Sequence, residues 1–460
     1  MKFRKIDINK SLIFFLLAHL IIWTLVPAIS NPNLPLDTIE ALAWGSNLDW
    51  GYNKHPPLSA WFVTGFYQIF ENQDWSYYFL SQLFVVSSFF IVFKFSEEFF
   101  KNRTLSLISI LLLEGIYFYN FTTPEFNVNV CQLPFWALTV HYSWKAIKEK
   151  NYTNWLFFGI FATLGLLSKY LFLYLIMGIK VYFIYLITER KKIEFVYFIP
   201  SIVFIIMFLP HLIWLIENNY ITLTYALHRT GLDEPNFISH LFNPIIFLSK
   251  QIGILLPFFI MFLFIFSKLK PKFNLKDKKL LFLISINFIP IFLMFLTSLF
   301  FGVKIRTMWM TPFYLFTGVL FVYIFQSNII LNKLKYFLSI FLILFIFSPS
   351  AYLYVSISQK DKKTDYPGNE IAKSVQEKWD NNFKDTIESV IGDEWHAGNL
   401  SYHLKSNPKW YSHSNAFVEK SFDDFVETIG KEGFIIVNGK CSHGISFVIK
   451  NNNICMNGKK

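Results

Sequence analysis

Long apolar runs recur along this chain as far as residue 357, and they leave few folds open to it. About 20 predominantly apolar residues cross the hydrocarbon core of a bilayer as a helix, so runs of this length read as membrane spans. Such runs lie near 11–29, 76–95, 105–122, 128–144, 154–168, 171–188, 195–216, 280–301 and 337–357, and two more end at "SKLKPKFNLKDKK" and "NKLKY". The expectation is an α-helical polytopic membrane protein with about eleven transmembrane helices. With 54% hydrophobic residues, 56 Phe and a mean hydropathy of +0.40, the composition excludes an ordinary soluble domain.

Lys2, Arg4, Lys5 and Lys10 precede the first run in the manner of a signal peptide. The run is longer than a signal peptide's apolar segment and no small-x-small cleavage site closes it, so it reads as a retained first span. The formal charge of +11 does not indicate nucleic acid, because most of the excess lies in short loops between spans. Lys-rich loops on one side of the membrane are what the positive-inside rule expects. They place the N-terminus in the cytoplasm, and the opposite side is the periplasm if the organism is Gram-negative.

From residue 358 the composition turns polar, with helical and strand-like patches in alternation; "GFIIVNG" and "SFVIK" read as short strands. The domain expectation is a transmembrane unit over 1–357, including a first periplasmic loop at 31–75, and a small α/β periplasmic domain over 358–460. Cys131 falls within a predicted span and reads as a packing residue. Cys441 and Cys455 could form one disulfide in an oxidising compartment.

The polar chemistry is densest in the first loop, "LPLDTIEALAWGSNLDWGYNKHPPLSAWF". Asp37 and Glu40 are three apart, on one face of a helix. Asp37 also reads as a helix N-cap with an acid three residues on, so a capping role stands beside a catalytic one. Asp49 reads as a solvated turn residue. Lys54 and His55 precede a Pro-Pro that stops one segment and starts a helix, and could meet lipid headgroups or a bound anion.

Further candidates are Glu125, Asn127 and Asn129 in "TTPEFNVNV", Lys169 in "LLSKYLF", and Lys304 and Arg306 in "GVKIRTMWMTPF". Ionisable residues at membrane depth are costly and are functional candidates by default. Lys169, Lys304 and Arg306 face the outer side, where positive-inside does not account for them. Arg can hold phosphate oxygens in a fork while Lys acts as a point charge.

There is no Walker loop, dinucleotide fingerprint, HExxH or Cys-rich metal site. No cofactor is implied; a divalent metal is conceivable but no ligand spacing supports it. A transferase on the outer face needs an activated donor other than a soluble nucleotide sugar. A polyprenyl-phosphate sugar fits: its tail partitions into the bilayer and its phosphate suits the cations.

Taken together, "LPLDTIEALAWG", "DWGYNKHPPLSAWF", "TTPEFNVNVCQLPFWALTV", "GLLSKYLFL", "LPHLIWLIENNYITLTYAL", "YPGNEIAKSV" and "VIGDEWHAGNLSYHL" resemble bacterial members of the dolichyl-phosphate-mannose protein mannosyltransferase-like superfamily. These are membrane glycosyltransferases of the GT-C fold, related to the lipid A aminoarabinose transferase. The resemblance implies sugar transfer from polyprenyl phosphate on the outer face, with an acid of the first outer loop as general base or acceptor-orienting group. Asp37 matches that acid and Glu40 completes the pair. Lys54 and His55 match a cation before Pro-Pro suited to the donor phosphate, with Lys304 and Arg306 beside them and Glu125, Asn129 and Lys169 in support.

One departure stands out. Many relatives carry a second Asp shortly before the "FW" of the fourth span, where this chain has Asn129, with Glu125 one turn earlier. The expected acceptor is lipid A or another envelope glycolipid. A protein Ser/Thr acceptor and a flippase for polyprenyl-linked sugars are the alternatives. Partners are then the lipid-linked donor, the acceptor and membrane lipids, and no nucleic acid. In the tail, Asp393, Glu394, Trp395 and His396 could cap and pack a helix or recognise the acceptor, with the structural role preferred.

Overall fold

The structure is a computed structural model, and it describes residues 7–149, 151–230, 237–266, 271, 273–412, 433–439, 441 and 444–459. Lys2, Arg4 and Lys5, and parts of the loops around 231–236 and 267–270, lie outside the described residues.

The chain opens with α1 (Ile8–Ser30), the amphipathic α2 (Leu36–Gly45), α3 (Leu58–Phe70) and α4 (Asp74–Ser96). Next come α5 (Arg103–Leu111), α6 (Val128–Cys131), α7 (Leu133–Glu149), α8 (Tyr152–Ser168), α9 (Leu173–Arg190), α10 (Ile199–Glu217) and α11 (Ile221–Thr230). The membrane part closes with α12 (Phe237–Leu263), α13 (Lys278–Phe301), α14 (Thr317–Phe325) and α15 (Leu334–Ser358). Packing is pairwise: α1 on α4 and α15, α4 on α7, α7 on α8, α8 on α10, and α9 on α13. α4 is the central helix, with 67% of its most apolar window buried, against 17% for α10 and α15. The outer faces of α10 and α15 expose Ile205, Ile206, Ile343 and Ile346, as lipid-facing helices should.

Eleven spans are not borne out. Among the described residues, seven helices are long and apolar enough to cross a membrane, and an eighth span forms if the pair Thr307–Tyr314 and Thr317–Asn328, bent by 50°, is counted as one. Tyr152–Ser168 is a shorter apolar helix. The expected span at 105–122 is broken: α5 ends at Leu111 and two 3-10 turns follow, Leu112–Gly115 and Tyr117–Tyr119. The break has identifiable causes. A Cβ on Gly115 would come within 2.6 Å of the Phe258 backbone, so α12 crosses against bare main chain there. Glu114 turns inward to His19 of α1, 2.5 Å away, and Asn120 donates to the Glu114 carbonyl. The expected span at 128–144 is divided between α6 and α7, and the latter ends in a polar turn.

The broken segment leads into a loop fastened to α4, where Ser81 and Gln82 both donate to the Thr123 carbonyl. That anchor fixes residues 124–127 and, through them, the start of α2.

After Ser358 the chain forms α16 (Gly368–Asn382), α17 (His396–His403) and a five-stranded sheet, with β1 (Ser389–Ile391), β2 (Lys409–Tyr411), β3 (Phe434–Val437), β4 (Ile445–Ile449) and β5 (Asn452–Asn457). Strand order is β2-β1-β3-β5-β4. β1 runs parallel to both neighbours, with Val390 opposite Trp410 and Ile435. β3–β5 and β5–β4 are antiparallel. Cys441 and Cys455 are joined in a disulfide.

This C-terminal region sits directly on the first loop. A Cβ on Gly398 would lie 3.0 Å from that of Ala43 and 3.2 Å from Ile39, so α17 can approach α2 only through glycine. Asn33 donates to Asn399 and accepts from His403, and the Tyr402 hydroxyl donates to Asp74.

His19 and Glu114 are both fully buried, so removing one leaves the other without compensation. We expect Glu114→Ala to cost ~3–5 kcal/mol, read as a lower unfolding temperature in detergent. The double variant His19→Leu/Glu114→Leu should recover most of the loss.

Candidate active site

The site is built around the first turn of α2. Pro35 occupies the N-cap position, where it offers no side-chain acceptor, so the exposed N–H groups of the first turn need partners from elsewhere. Glu125 supplies one: its Oε1 accepts the Asp37 backbone N–H at 2.9 Å, while Thr38 donates to the Phe126 carbonyl. The expected N-cap role for Asp37 is therefore corrected. Asp37 lies inside the helix and a distant carboxylate does the capping. Among the described residues no hydrogen bond reaches the Asp37 carboxylate, which is half-buried at the positive end of the α2 dipole.

Four cations act on that carboxylate. Burial raises the Asp37 pKa, and the charges of Lys169, Lys54, Arg229 and Arg306 pull it back toward the ionised form. Glu125 is pushed up to about 8, first by burial and then by the neighbouring Asp37 charge. Lys169 caps the end of α8 and its Nζ donates to Asn129 Oδ1 at 2.6 Å, above the ring of Trp309 at 5.1 Å. Burial depresses Lys169 to about 7 despite the attraction of Asp37. Asn129 is thus the hydrogen-bond partner of a buried lysine, and among the described residues its Nδ2 has no partner.

One turn along α2, Glu40 accepts from Lys54 at 2.8 Å, and Lys54 also pairs with Glu394 at 3.3 Å. Asn53 donates to the same Glu394 oxygen at 2.8 Å. Burial outweighs the pull of Lys54 and raises Glu40 to about 7. For Lys54 the balance reverses: burial works against its charge, but Glu40 and Glu394 together raise its pKa. Lys54 is therefore a permanent cation clasped by two carboxylates. His55 packs edge-on to Trp44 and Tyr225, and burial with the nearby charges of Lys169, Lys54 and Arg229 lowers it to about 3. At neutral pH it is an uncharged imidazole, so it would meet a phosphate as a neutral donor, not as the cation expected.

The predicted candidates divide as follows. Asp37, Glu40, Lys54, His55, Glu125, Asn129, Lys169 and Arg306 gather around α2. Lys304 is exposed, its backbone N–H donates to Thr230, and among the described residues it contacts none of the acids. Asp49 is more than a turn residue, because its carboxylate accepts from the Trp214 indole at 2.8 Å and its carbonyl from that of Trp61. One residue escaped sequence reasoning: Arg229 sits in "YALHRTG" with nothing local to mark it. Glu394 lies in a run for which the structural role is the preferred expectation. In fact Asp393 accepts from the N–H groups at the start of α17, leaving Glu394 for Lys54. Among the described residues no three His, Cys, Asp or Glu side chains gather as a metal site.

Residues 54–214 match the profile of the dolichyl-phosphate-mannose-protein mannosyltransferase family. The fold matches ArnT from Cupriavidus metallidurans bound to undecaprenyl phosphate, with a TM-score of 0.62 at 11% identity over 94% of both chains. The apo state of the same protein matches with a TM-score of 0.63 at 11% identity over 97% of both chains. No curated protein sequence gives a match. The resemblance read from the sequence is borne out by this family match and by the shared fold: the chain is an integral membrane protein of GT-C architecture.

Glu394 ties the C-terminal region to Lys54. Glu394→Gln should loosen that docking by ~1 kcal/mol, seen as severalfold faster amide exchange across α17. Unchanged exchange there would show that the Asn33 and Tyr402 contacts suffice.

Proposed function

We propose that this protein transfers a sugar from a polyprenyl-phosphate donor to an envelope acceptor, lipid A or another glycolipid, on the periplasmic face of the bacterial inner membrane. The observation that carries the reading is the Asp37 carboxylate, free of hydrogen bonds among the described residues and surrounded by Lys169, Lys54, Arg229 and Arg306. The family match over 54–214 and the GT-C architecture support the same reaction class.

In this mechanism the acceptor hydroxyl oxygen attacks the anomeric carbon of the donor. Its proton passes to the Asp37 carboxylate, the bond from the anomeric carbon to the phosphate oxygen breaks, and polyprenyl phosphate departs with that electron pair. Attack opposite the leaving group inverts the anomeric centre. Asp37 suits the base role because burial moves its pKa toward working pH, where proton transfer is most effective.

Arg306 and Arg229 are exposed, and among the described residues neither is paired with a carboxylate, so they are placed to receive the phosphate, with Lys169 behind them. Fixed cations aimed at charge that develops on the leaving group are a large source of rate enhancement. Lys54, held by Glu40 and Glu394, acts instead as the fixed charge that keeps the acids in register.

Asp37→Asn should lower transfer in membranes by about 100-fold or more at equal expression. Wild-type activity in that variant would sink the assignment. Mass spectrometry of lipid A from a deletion strain tests the acceptor, since an unchanged spectrum counts against lipid A. Because the base must be ionised and burial raises its pKa, the rate in proteoliposomes should fall on acidification at a pH above that of an ordinary aspartate. A rate still flat down to pH about 4 would contradict this.

A further inference from the structure

Beside the carboxylate–cation cluster, three separate parts of the chain converge on a groove that the transfer step does not use. It is lined by Trp44, Tyr52 and Asn53 of the first loop, Trp214 and Asn218 from the end of α10, and Trp410 of β2. Its space is about 780 Å³, counted out to the open mouth. Among the described residues no Lys or Arg lines it and the Asp49 carboxylate does, so it does not suit a phosphate. What it offers is aromatic side chains, neutral amides and one carboxylate, a combination that matches a sugar ring with its hydroxyls. The C–H bonds of a pyranose face meet the negative face of an aromatic ring, and its hydroxyls pair with amide groups.

The walls are fixed in place. Trp44 stacks on Tyr52 with ring centres 5.7 Å apart and planes within 15°. The Trp214 indole donates to Asp49, and a Cβ on Gly51 would fall 2.3 Å from its ring, so only glycine lets the loop pass this closely. His211 bonds both the Trp50 carbonyl and the Tyr170 hydroxyl, tying the loop to α10 and to the 3-10 turn Tyr170–Phe172 that precedes α9. The backbone N–H of Trp410 donates to Ser46.

The lining also holds polar atoms with nothing to bond. The indole N–H groups of Trp44 and Trp410, residues 2% and 5% exposed, and the side-chain oxygen of Asn53 are buried and, among the described residues, without partners. Buried donors and acceptors are almost always satisfied, so three unsatisfied at one groove call for an explanation. A hydroxyl-rich ligand pressed into the groove supplies one.

We infer that this groove is a carbohydrate subsite that holds a pyranose ring of the acceptor against its tryptophans. Its position fits: Asn53 reaches Glu394 and adjoins Lys54, and Lys54 reaches Glu40, one helical turn from Asp37. The inference rests on the transferase reading only for identifying the sugar as the acceptor's. The C-terminal strand β2 then contributes to acceptor choice, and the acceptor is one that carries sugar near the hydroxyl to be modified.

The test is saturation-transfer NMR on the full chain in nanodiscs, with N,N′-diacetylchitobiose as the sugar probe and a short Ser/Thr-rich peptide as the rival. Saturation should reach the ring C–H protons of the sugar. Its dissociation constant should rise about tenfold in Trp410→Ala and less in Trp410→Phe, which keeps an aromatic face. Trp410 is nearly buried, so Trp410→Ala should lower the unfolding temperature, whereas both variants should keep wild-type binding of undecaprenyl phosphate, which separates a lost subsite from a lost fold. No saturation of the sugar, equal affinity in Trp410→Ala, or saturation of the peptide in its place would each overturn the proposal. Sugar binding by a wild-type chain that transfers no sugar in proteoliposomes would uphold the groove while removing the transferase reading. Transfer without sugar binding would do the reverse.

Discussion

The hydrogen bond from the Asp37 backbone N–H to the Glu125 carboxylate is the contact on which the site depends. A helix that starts behind a proline has exposed N–H groups and no local acceptor, and leaving such a group buried and unpaired costs about 1–3 kcal/mol. The acceptor comes from 88 residues away in sequence, on a loop that α4 holds by the Thr123 carbonyl. Because Glu125 does the capping, the Asp37 side chain is not consumed in holding the helix together. An acid at a helix start is otherwise in competition with its own backbone, which would bind it first. Here a second carboxylate takes the backbone N–H and leaves the first one free of it.

Charge balance follows from the same arrangement. Asp37, Glu40, Glu125 and Glu394 face Lys54, Lys169, Arg229 and Arg306, four groups of each sign. The members are not equivalent. Lys54 is committed to Glu40 and Glu394, whereas the two arginines reach Asp37 only through space. Burial moves Glu40, Glu125 and Lys169 toward neutrality, so the cluster carries less charge than its formulas suggest. An incoming lipid-linked phosphate would add negative charge where the uncommitted cations are, without first breaking an ion pair.

Much of this was legible in the sequence, and what was not has a common cause. Hydropathy marks a span because each residue contributes independently of its neighbours in space, so α1, α4, α9, α10, α12, α13 and α15 all fall where apolar runs lie. It failed at 105–122, where the residues are apolar enough but Glu114 is drawn to His19 and Gly115 yields to the crossing of α12. Both are tertiary events with no local mark. In the loop, the spacing of Asp37 and Glu40 and the cations before Pro-Pro were readable as chemistry. Their pairing was not: Lys54 was expected at a phosphate and His55 as a cation, yet one is held by carboxylates and the other is neutral in its pocket. Arg229 could not have been found and the partner of Glu394 could not have been named, since each acquires its meaning from a neighbour more than a hundred residues distant in sequence.

The placement of the C-terminal region resolves the ambiguity left by "GDEWH". That run could cap a helix or serve a site, and the structure does both by division: Asp393 satisfies the first N–H groups of α17 while Glu394, one residue on, points to Lys54. The same region reaches the other side of the loop through Trp410, whose backbone is bound to Ser46. Residues 46–54 are therefore held between the helices that bury the apolar runs and the C-terminal region. A loop of that length with a glycine at Gly51 would lose much backbone entropy on ordering if left to itself. Fastening it from both sides gives Lys54 a fixed position relative to Glu40, and hence to Asp37, so the geometry of the acids cannot be a property of the membrane helices alone.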